Sequence, residues 1–222
     1  QKQAVKVDAY ASITILVLVV VVAVVVVFLA RLCFCSRNPP REHRRSTVKT
    51  IIVVGSGGHT AEMLSLMENL DRSRYQPFHF VLADTDTTSR KRIIRKEESK
   101  HNLHNCSFST IRRTREVGQS WISTTITSLF ALFDSFRLVF RIQPDLILCN
   151  GPGTCVPVAF AGFLLYVFGL HSTRLIFCES FCRVKTISLS GKLLYPIATR
   201  FIVQWPELVK LYPRAEFIGR IL

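Results

Sequence analysis

Lys49-Thr50-Ile51-Ile52-Val53-Val54-Gly55-Ser56-Gly57-Gly58-His59-Thr60 decides the fold. A short β-branched run breaks into three glycines. Then Met63, Leu66, Met67 and Leu70 fall at i, i+3, i+4 and i+7, one face of a helix. A strand that turns through glycines into a helix offers unpaired N–H groups and a positive dipole end, which suits an anion and phosphate above all. A plain glycine-rich βα turn is the competing explanation. Position 60 is Thr rather than a third fingerprint glycine, which weakens a dinucleotide site. Asp84 or Asp86 as an acidic ribose ligand keeps that option open.

The same alternation continues downstream. Phe78 to Ala83 reads as a strand ending at Asp84-Thr85-Asp86, and Cys106 to Ile111 as another. Trp121 to Ile142 is a long helical stretch stopped before Pro144. Asp145 to Cys149 is a buried strand that opens into Asn150-Gly151-Pro152-Gly153-Thr154. Val156 to Leu170 follows as an apolar helix with Pro157 in its first turn. Its 15 residues are short for a membrane span, so a helix packed on the sheet and partly touching a membrane is expected. Leu175 to Cys178, Phe201 to Gln204 and Glu216 to Ile218 complete the strands. Strands alternating with helices predict an α/β, Rossmann-like fold: a parallel sheet with helices on both faces. Such sheets bind ligands at the carboxyl ends of their strands. The loops 55–60, 84–86, 150–155 and 179–183 are therefore expected on one edge.

Two side chains on that edge carry chemistry. His59, at the helix start, suits a general base or a hydrogen-bond donor to phosphate, or else a local cap. Glu179 ends an apolar strand, either as a functional carboxylate or as a salt-bridge partner of Arg183.

Upstream lies a different kind of segment. Ile13 to Ala30 is an 18-residue run whose only polar member is Thr14. As a helix it is roughly 27 Å long, the hydrocarbon thickness of a thin bilayer. A cleaved signal peptide has a shorter apolar core and a small-residue cleavage site, whereas this run ends in Phe28-Leu29-Ala30-Arg31-Leu32-Cys33. Residues 11–30 are expected to span a membrane once and 31–47 to form a basic juxtamembrane linker. Residues 48–222 form the folded domain. Arg31, Arg37, Arg41, Arg44, Arg45 and Lys49 outweigh Lys2 and Lys6, which puts the domain on the cytosolic side.

The 222 residues hold 29 Lys and Arg against 15 Asp and Glu, a net charge of +14, with 49% hydrophobic residues. That apolar content excludes a disordered polycation. Seven cysteines, an odd number, argue against a disulfide scaffold, and a cytosolic location keeps them reduced. Cys178 and Cys182 have no second pair or nearby His, so no metal site is expected. Nearly all the excess charge is local: 31–49 carry a net +5 and 90–115, read as a long loop, a net +7. A chain anchored in a bilayer has lipid headgroups or a lipid-linked phosphate as its nearest polyanion, so no nucleic-acid partner is expected.

Several segments together resemble one family. They are the N-terminal anchor, Val53 to Thr60, Ala83 to Asp86, Arg113-Thr114-Arg115-Glu116-Val117-Gly118-Gln119-Ser120, Pro144 to Pro157, Glu179-Ser180 with Cys182-Arg183-Val184, Ser190-Gly191-Lys192, and Ile202 to Pro206. They resemble the membrane-anchoring subunit of the eukaryotic UDP-N-acetylglucosamine transferase of dolichol-linked oligosaccharide assembly. The arrangement is also similar to the N-terminal half of the bacterial undecaprenyl-linked GlcNAc transferase of peptidoglycan synthesis, a GT-B enzyme. The resemblance implies an acceptor-side GT-B half that adds the second GlcNAc to GlcNAc-diphosphodolichol at the endoplasmic reticulum membrane. It further implies a soluble catalytic partner that supplies the donor half and shares UDP-GlcNAc. His59 and Glu179 become the base or orienting groups. Gly55, Ser56, Gly57, Gly58, Thr60, Arg113, Arg115, Gly151, Gly153 and Thr154 become phosphate and acceptor contacts. The apolar tail Gly219, Arg220, Ile221 and Leu222 becomes the partner-docking segment. No cofactor is expected in this chain; Mg2+ at the donor diphosphate would belong to the partner. A pure membrane scaffold without chemistry and a nucleotide-dependent oxidoreductase are the alternatives.

Overall fold

The computed structural model describes residues 2–41, 46–100, 103–113, 121–219 and 221. The chain forms two compact units, Gln1–Asn38 and Pro39–Leu222.

The first unit is one helix, α1 (Lys2–Arg37). Its stretch Thr14–Arg37 is 24 residues and strongly apolar, and its most apolar 18-residue window has no buried residue. That is about 36 Å of helix, long enough to cross a bilayer. A soluble core helix of this composition would be covered, whereas here Ile15 to Val22 are all more than half exposed. The helix continues through Arg37, so the expected linker starts seven residues later than Arg31. Residues 42–45, with Arg44 and Arg45, lie outside the described residues.

The second unit is built on seven strands: β1 (Thr50–Val53), β2 (Phe78–Ala83), β3 (Cys106–Ile111), β4 (Leu146–Asn150), β5 (Arg174–Cys178), β6 (Arg200–Ile202) and β7 (Ala215–Glu216). All pair in parallel, in the order β3-β2-β1-β4-β5-β6-β7. The helices are α2 (Gly58–Glu68), α3 (Thr87–Ser99), α4 (Trp121–Ile142), α5 (Cys155–Val167), α6 (Leu189–Leu194) and α7 (Glu207–Leu211). The last strand ends at Glu216, two residues before the expected Ile218, because only Ala215 and Glu216 pair with β6.

Two-residue alternation divides the strands between two cores. Ile51, Val53, Ile147, Cys149, Leu175 and Phe177 face α4 and α5, meeting Val139, Val158, Ala161 and Leu165. Ile52, Val54, Phe80, Leu82 and Leu148 face the other way, onto Met63 and Met67 of α2 and Ile93 of α3. α5 is mostly buried and packs against α4. α4 leaves an apolar face open: Leu129, Phe130, Phe133 and Phe140 are each at least 46% exposed.

The basic segment after Arg90 is a helix rather than a loop. Asp86 caps α3 by accepting from the Ser89 N–H (3.0 Å) and hydroxyl. Its buried stripe is Ser89, Ile93 and Glu97, with only one apolar member. Glu97 is fully buried and held by both guanidinium nitrogens of Arg72.

Strand order fixes where a ligand can sit. The chain builds outward from β1 through β2 to β3, then returns to β4 on the other side of β1. The crevice at this reversal, outside the carboxyl ends of β1 and β4, is where open α/β sheets bind ligands. Register aligns the two ends, with Val53 opposite Cys149.

Candidate active site at the switch point

Two glycines let the β1 and β4 loops touch across the reversal. A Cβ on Gly55 would stand 2.5 Å from the Pro152 ring, and one on Gly151 would stand 2.5 Å from the His59 ring. Gly151 also has φ +70°, a left-handed conformation that favours glycine. Gly55 thus packs on Pro152, and two clefts are lined by these loops.

The first cleft, about 260 Å3, is lined by Gly55, Ser56, Asp86, Arg113, Pro152, Gly153 and Thr154. Arg113 Nη2 donates to Ser56 Oγ at 3.4 Å, so the end of β3 leans onto the glycine loop. Five of the expected phosphate contacts meet here. Asp86 also reaches this cleft, but both its oxygens already hold Ser89.

The second cleft, about 330 Å3, is lined by Gly58, His59, Glu62, Gly151, Glu179, Ser180, Cys182, Arg183 and Ser188. It joins His59 to Glu179, 120 residues apart in sequence. α2 presents its N-terminus here with Gly57 (φ +66°) as N-cap and no side-chain cap. α3 and α6 are capped by Asp86 and Ser188. The uncapped start of α2 keeps backbone donors available for an anion. At the start of α5 the Cys155 and Val156 N–H groups bond back to Pro152 O and Gly153 O, which leaves fewer donors there.

Thr60 takes a different role from the expected one. Its side chain is fully buried, and its hydroxyl lies 2.6 Å from Gly55 O and 2.7 Å from Ser89 Oγ. It ties α2 to its own turn and to α3. Arg115, Arg220 and Leu222 lie outside the described residues. Ile221 is half-buried against the second core, and its N–H donates to Gln204 Oε1 at 3.2 Å. The exposed apolar side chains near the tail are Phe217 and Ile218.

Glu179 is fully buried. Its oxygens accept the N–H groups of Ser180 (3.0 Å) and Ser188 (2.8 Å), closing the 179–188 loop on itself. Burial pushes its carboxyl above the usual range, against those two N–H bonds and the nearby charge of Arg183. His59 is about one-third exposed, and its Nδ1 lies 3.3 Å from both Glu62 Oε2 and Asn150 Oδ1. The Glu62 hydrogen bond raises its pKa above 6.5, outweighing burial. Burial works against ionisation of Glu62, yet hydrogen bonds from His59 and Ser180 carry it below its ordinary value.

Glu62 and the Asn150 side chain are the groups that sequence reasoning missed. The available signal was spacing: Glu62 follows His59 by three residues, one helical turn. Among the described residues no group of three His, Cys, Asp or Glu is placed to hold a metal.

A parallel α/β domain with glycine loops on both sides of its switch point is the architecture of one half of a GT-B glycosyltransferase. The crystal structure of Acinetobacter baumannii MurG superposes with a TM-score of 0.54 at 16% identity, covering 77% of this chain and 44% of that one. A UDP-N-acetylglucosamine 2-epimerase superposes with 0.52 at 15% identity, covering 77% and 46%. The chain thus spans less than half the length of either, and at such identities the likeness is one of fold. The chain belongs to the Alg14 family: the family model described as oligosaccharide biosynthesis protein Alg14 like matches residues 50–221. The UDP-N-acetylglucosamine transferase subunit ALG14 of Rattus norvegicus is 44% identical over 200 residues, covering 87% of this chain and 92% of that protein. The human protein of that name is 43% identical over 184 residues, covering 80% and 85%. That of Yarrowia lipolytica is 40% identical, covering 79% and 82%.

Proposed function

We propose that this chain is the membrane-anchoring, acceptor-side subunit of a two-subunit UDP-GlcNAc transferase. In this reading it adds the second GlcNAc to GlcNAc-diphosphodolichol, on the cytosolic face of the endoplasmic reticulum, together with a soluble donor-side partner. The observation that carries the reading is the switch-point cleft, where His59 stands beside an uncapped helix start within half of a GT-B fold. Family membership and the relatives' names supply the substrate class.

In this reading the groups of the site act as follows. The uncapped start of α2 receives a diphosphate of the lipid acceptor in the second cleft, while Arg113 and Ser56 line the first. His59 takes the proton from the acceptor 4-hydroxyl. The freed oxygen pair bonds to the sugar C1, and UDP leaves with the C1–O bonding pair. Glu179, with both oxygens occupied, orients the 179–188 loop. Mg2+, if used, acts at the donor diphosphate in the partner.

The membrane setting has support beyond α1. The open face of α4 sets Leu129, Phe130, Phe133 and Phe140 beside Arg137 and Arg141, the composition of a helix lying in a lipid interface.

The test is reconstitution of the full chain with its partner, UDP-GlcNAc and a short-prenyl GlcNAc diphosphate. Transfer is expected from the pair and not from this chain alone. No transfer from the pair would remove the reading. For the tail, deletion of Gly219 to Leu222 is expected to abolish co-purification with the partner. Because Ile221 also packs on its own core, the melting temperature is measured in parallel. Retained co-purification of the truncated, folded chain would refute docking there.

A further inference from the structure

His59 Nδ1 faces two oxygens, Glu62 Oε2 and Asn150 Oδ1, each at 3.3 Å. The Asn150 amide has a defined orientation, because its Nδ2 donates to Cys178 O at 3.3 Å. Its oxygen therefore points to the imidazole. A ring nitrogen between two acceptors is stable only when it carries the hydrogen. Nδ1 is then the donor, and Nε2 holds the lone pair.

Glu62 is itself held from a separate element. Its Oε1 accepts the Ser180 hydroxyl at 2.8 Å and the Phe181 N–H at 3.2 Å. One carboxylate thus fastens α2 to the loop after β5 and also fixes one face of the imidazole. Gly151 presses on the ring with room for no side chain of its own. The other charged groups lining this cleft are Glu179, from the end of β5, and Arg183, from the loop that follows.

We propose that Glu62 is a positioning residue: it holds His59 as the Nδ1–H tautomer, so that Nε2 accepts the proton of the acceptor hydroxyl. The inference rests on the transferase reading above and deepens it, naming a residue which that reading does not require. The proton moves from the hydroxyl oxygen to Nε2, while Nδ1–H stays bonded to Glu62. A carboxylate behind the ring also stabilises the imidazolium as it forms, as in other base–carboxylate pairs.

The experiment compares Glu62→Gln and Glu62→Ala in the full complex. Gln keeps an oxygen for Ser180 and Phe181 but turns an NH2 group toward Nδ1. It therefore favours the wrong tautomer, with the hydrogen on Nε2. Ala removes the carboxylate but leaves Asn150 as the acceptor for Nδ1–H. Turnover is expected to fall about 100-fold or more in Glu62→Gln, and less in Glu62→Ala. KM for UDP-GlcNAc should stay within about threefold. The acidic limb of the pH–rate profile should move to lower pH in both, because removing the carboxylate removes what raises the His59 pKa. Histidine 15N NMR of the complex should report Nδ1–H in the wild type and Nε2–H in Glu62→Gln. A purely structural Glu62 reverses the order, since Gln preserves the link to Ser180 and Ala does not. Ala worse than Gln, with an unmoved limb, overturns the proposal. So does Nε2–H in the wild type, a result that needs no turnover and is distinct from failure of the transferase reading.

Discussion

His59→Ala in the assembled complex is expected to lower turnover by about 10²–10⁴-fold, the range for loss of a positioned general base. The ring is about one-third exposed and otherwise packs on Gly151 and bonds to Asn150, so part of its packing is lost. It sits at the second residue of α2, where alanine is well tolerated. The fold should survive with a modestly lowered melting temperature, and co-purification should match the wild type. The loss should appear in kcat, with substrate affinity much less affected. Single-turnover transfer to a short-prenyl GlcNAc diphosphate measures it. Full turnover in a normally assembled His59→Ala complex would return the chemistry to the partner and leave this chain a scaffold.

Glu179→Ala is expected to act through the fold as well as the site. The carboxylate is fully buried and satisfies two backbone N–H groups, of Ser180 and Ser188. Each buried donor left unpaired costs about 1–3 kcal/mol, so the domain loses roughly 2–6 kcal/mol. At about 2–4 °C per kcal/mol for a domain of this size, the melting temperature falls by roughly 4–24 °C. Glu179→Gln should fall between, because the amide oxygen can accept one N–H while its NH2 confronts the other. The wild type carries a linked pH dependence. Burial raises the folded-state pKa of Glu179 above its unfolded value of 4.5. The folded form therefore binds the proton more tightly. This group's contribution to stability is largest below the unfolded pKa and declines as pH rises through the folded pKa. Glu179→Ala melting like the wild type would mean the carboxylate does not organise the loop.

The architecture was legible because its signals are periodic and local. β-branched runs ending in glycines give the β1 and β4 turns, and the alternation of Ile51 and Val53 with Ile52 and Val54 separates the two cores. The shared edge of four distant loops followed from parallel topology alone. α3 was hidden because its buried stripe is not apolar. Glu97 occupies a position where periodicity looks for Leu, and the Arg72 that makes its burial tolerable lies 25 residues earlier. Glu62 was hidden for a related reason. Alone it is one more charge on an amphipathic helix, and only the Asn150 and Ser180 placed beside it by the fold give it a task. Thr60 shows the converse: a hydroxyl in the right motif turned inward, because the turn needed a clasp. The apolar face of α4 belongs to a helix whose period is clear, but periodicity cannot tell which of two greasy faces the sheet will cover.

The pairing of β1 with β4 has a consequence for how the protein comes into being. Thr50 meets Leu146 across 96 residues of chain, so this closure carries a high contact order and a large loop-closure entropy. During synthesis the strands β1, β2 and β3 emerge first and can pair among themselves with no crevice between them. His59 gains Asn150 and Gly151 only when β4 docks, and its Glu179 neighbour only when β5 follows. On the transferase reading, the site is therefore completed late, in two steps, with β4 and then β5. On that reading, a chain arrested before Leu146 is expected to support no transfer.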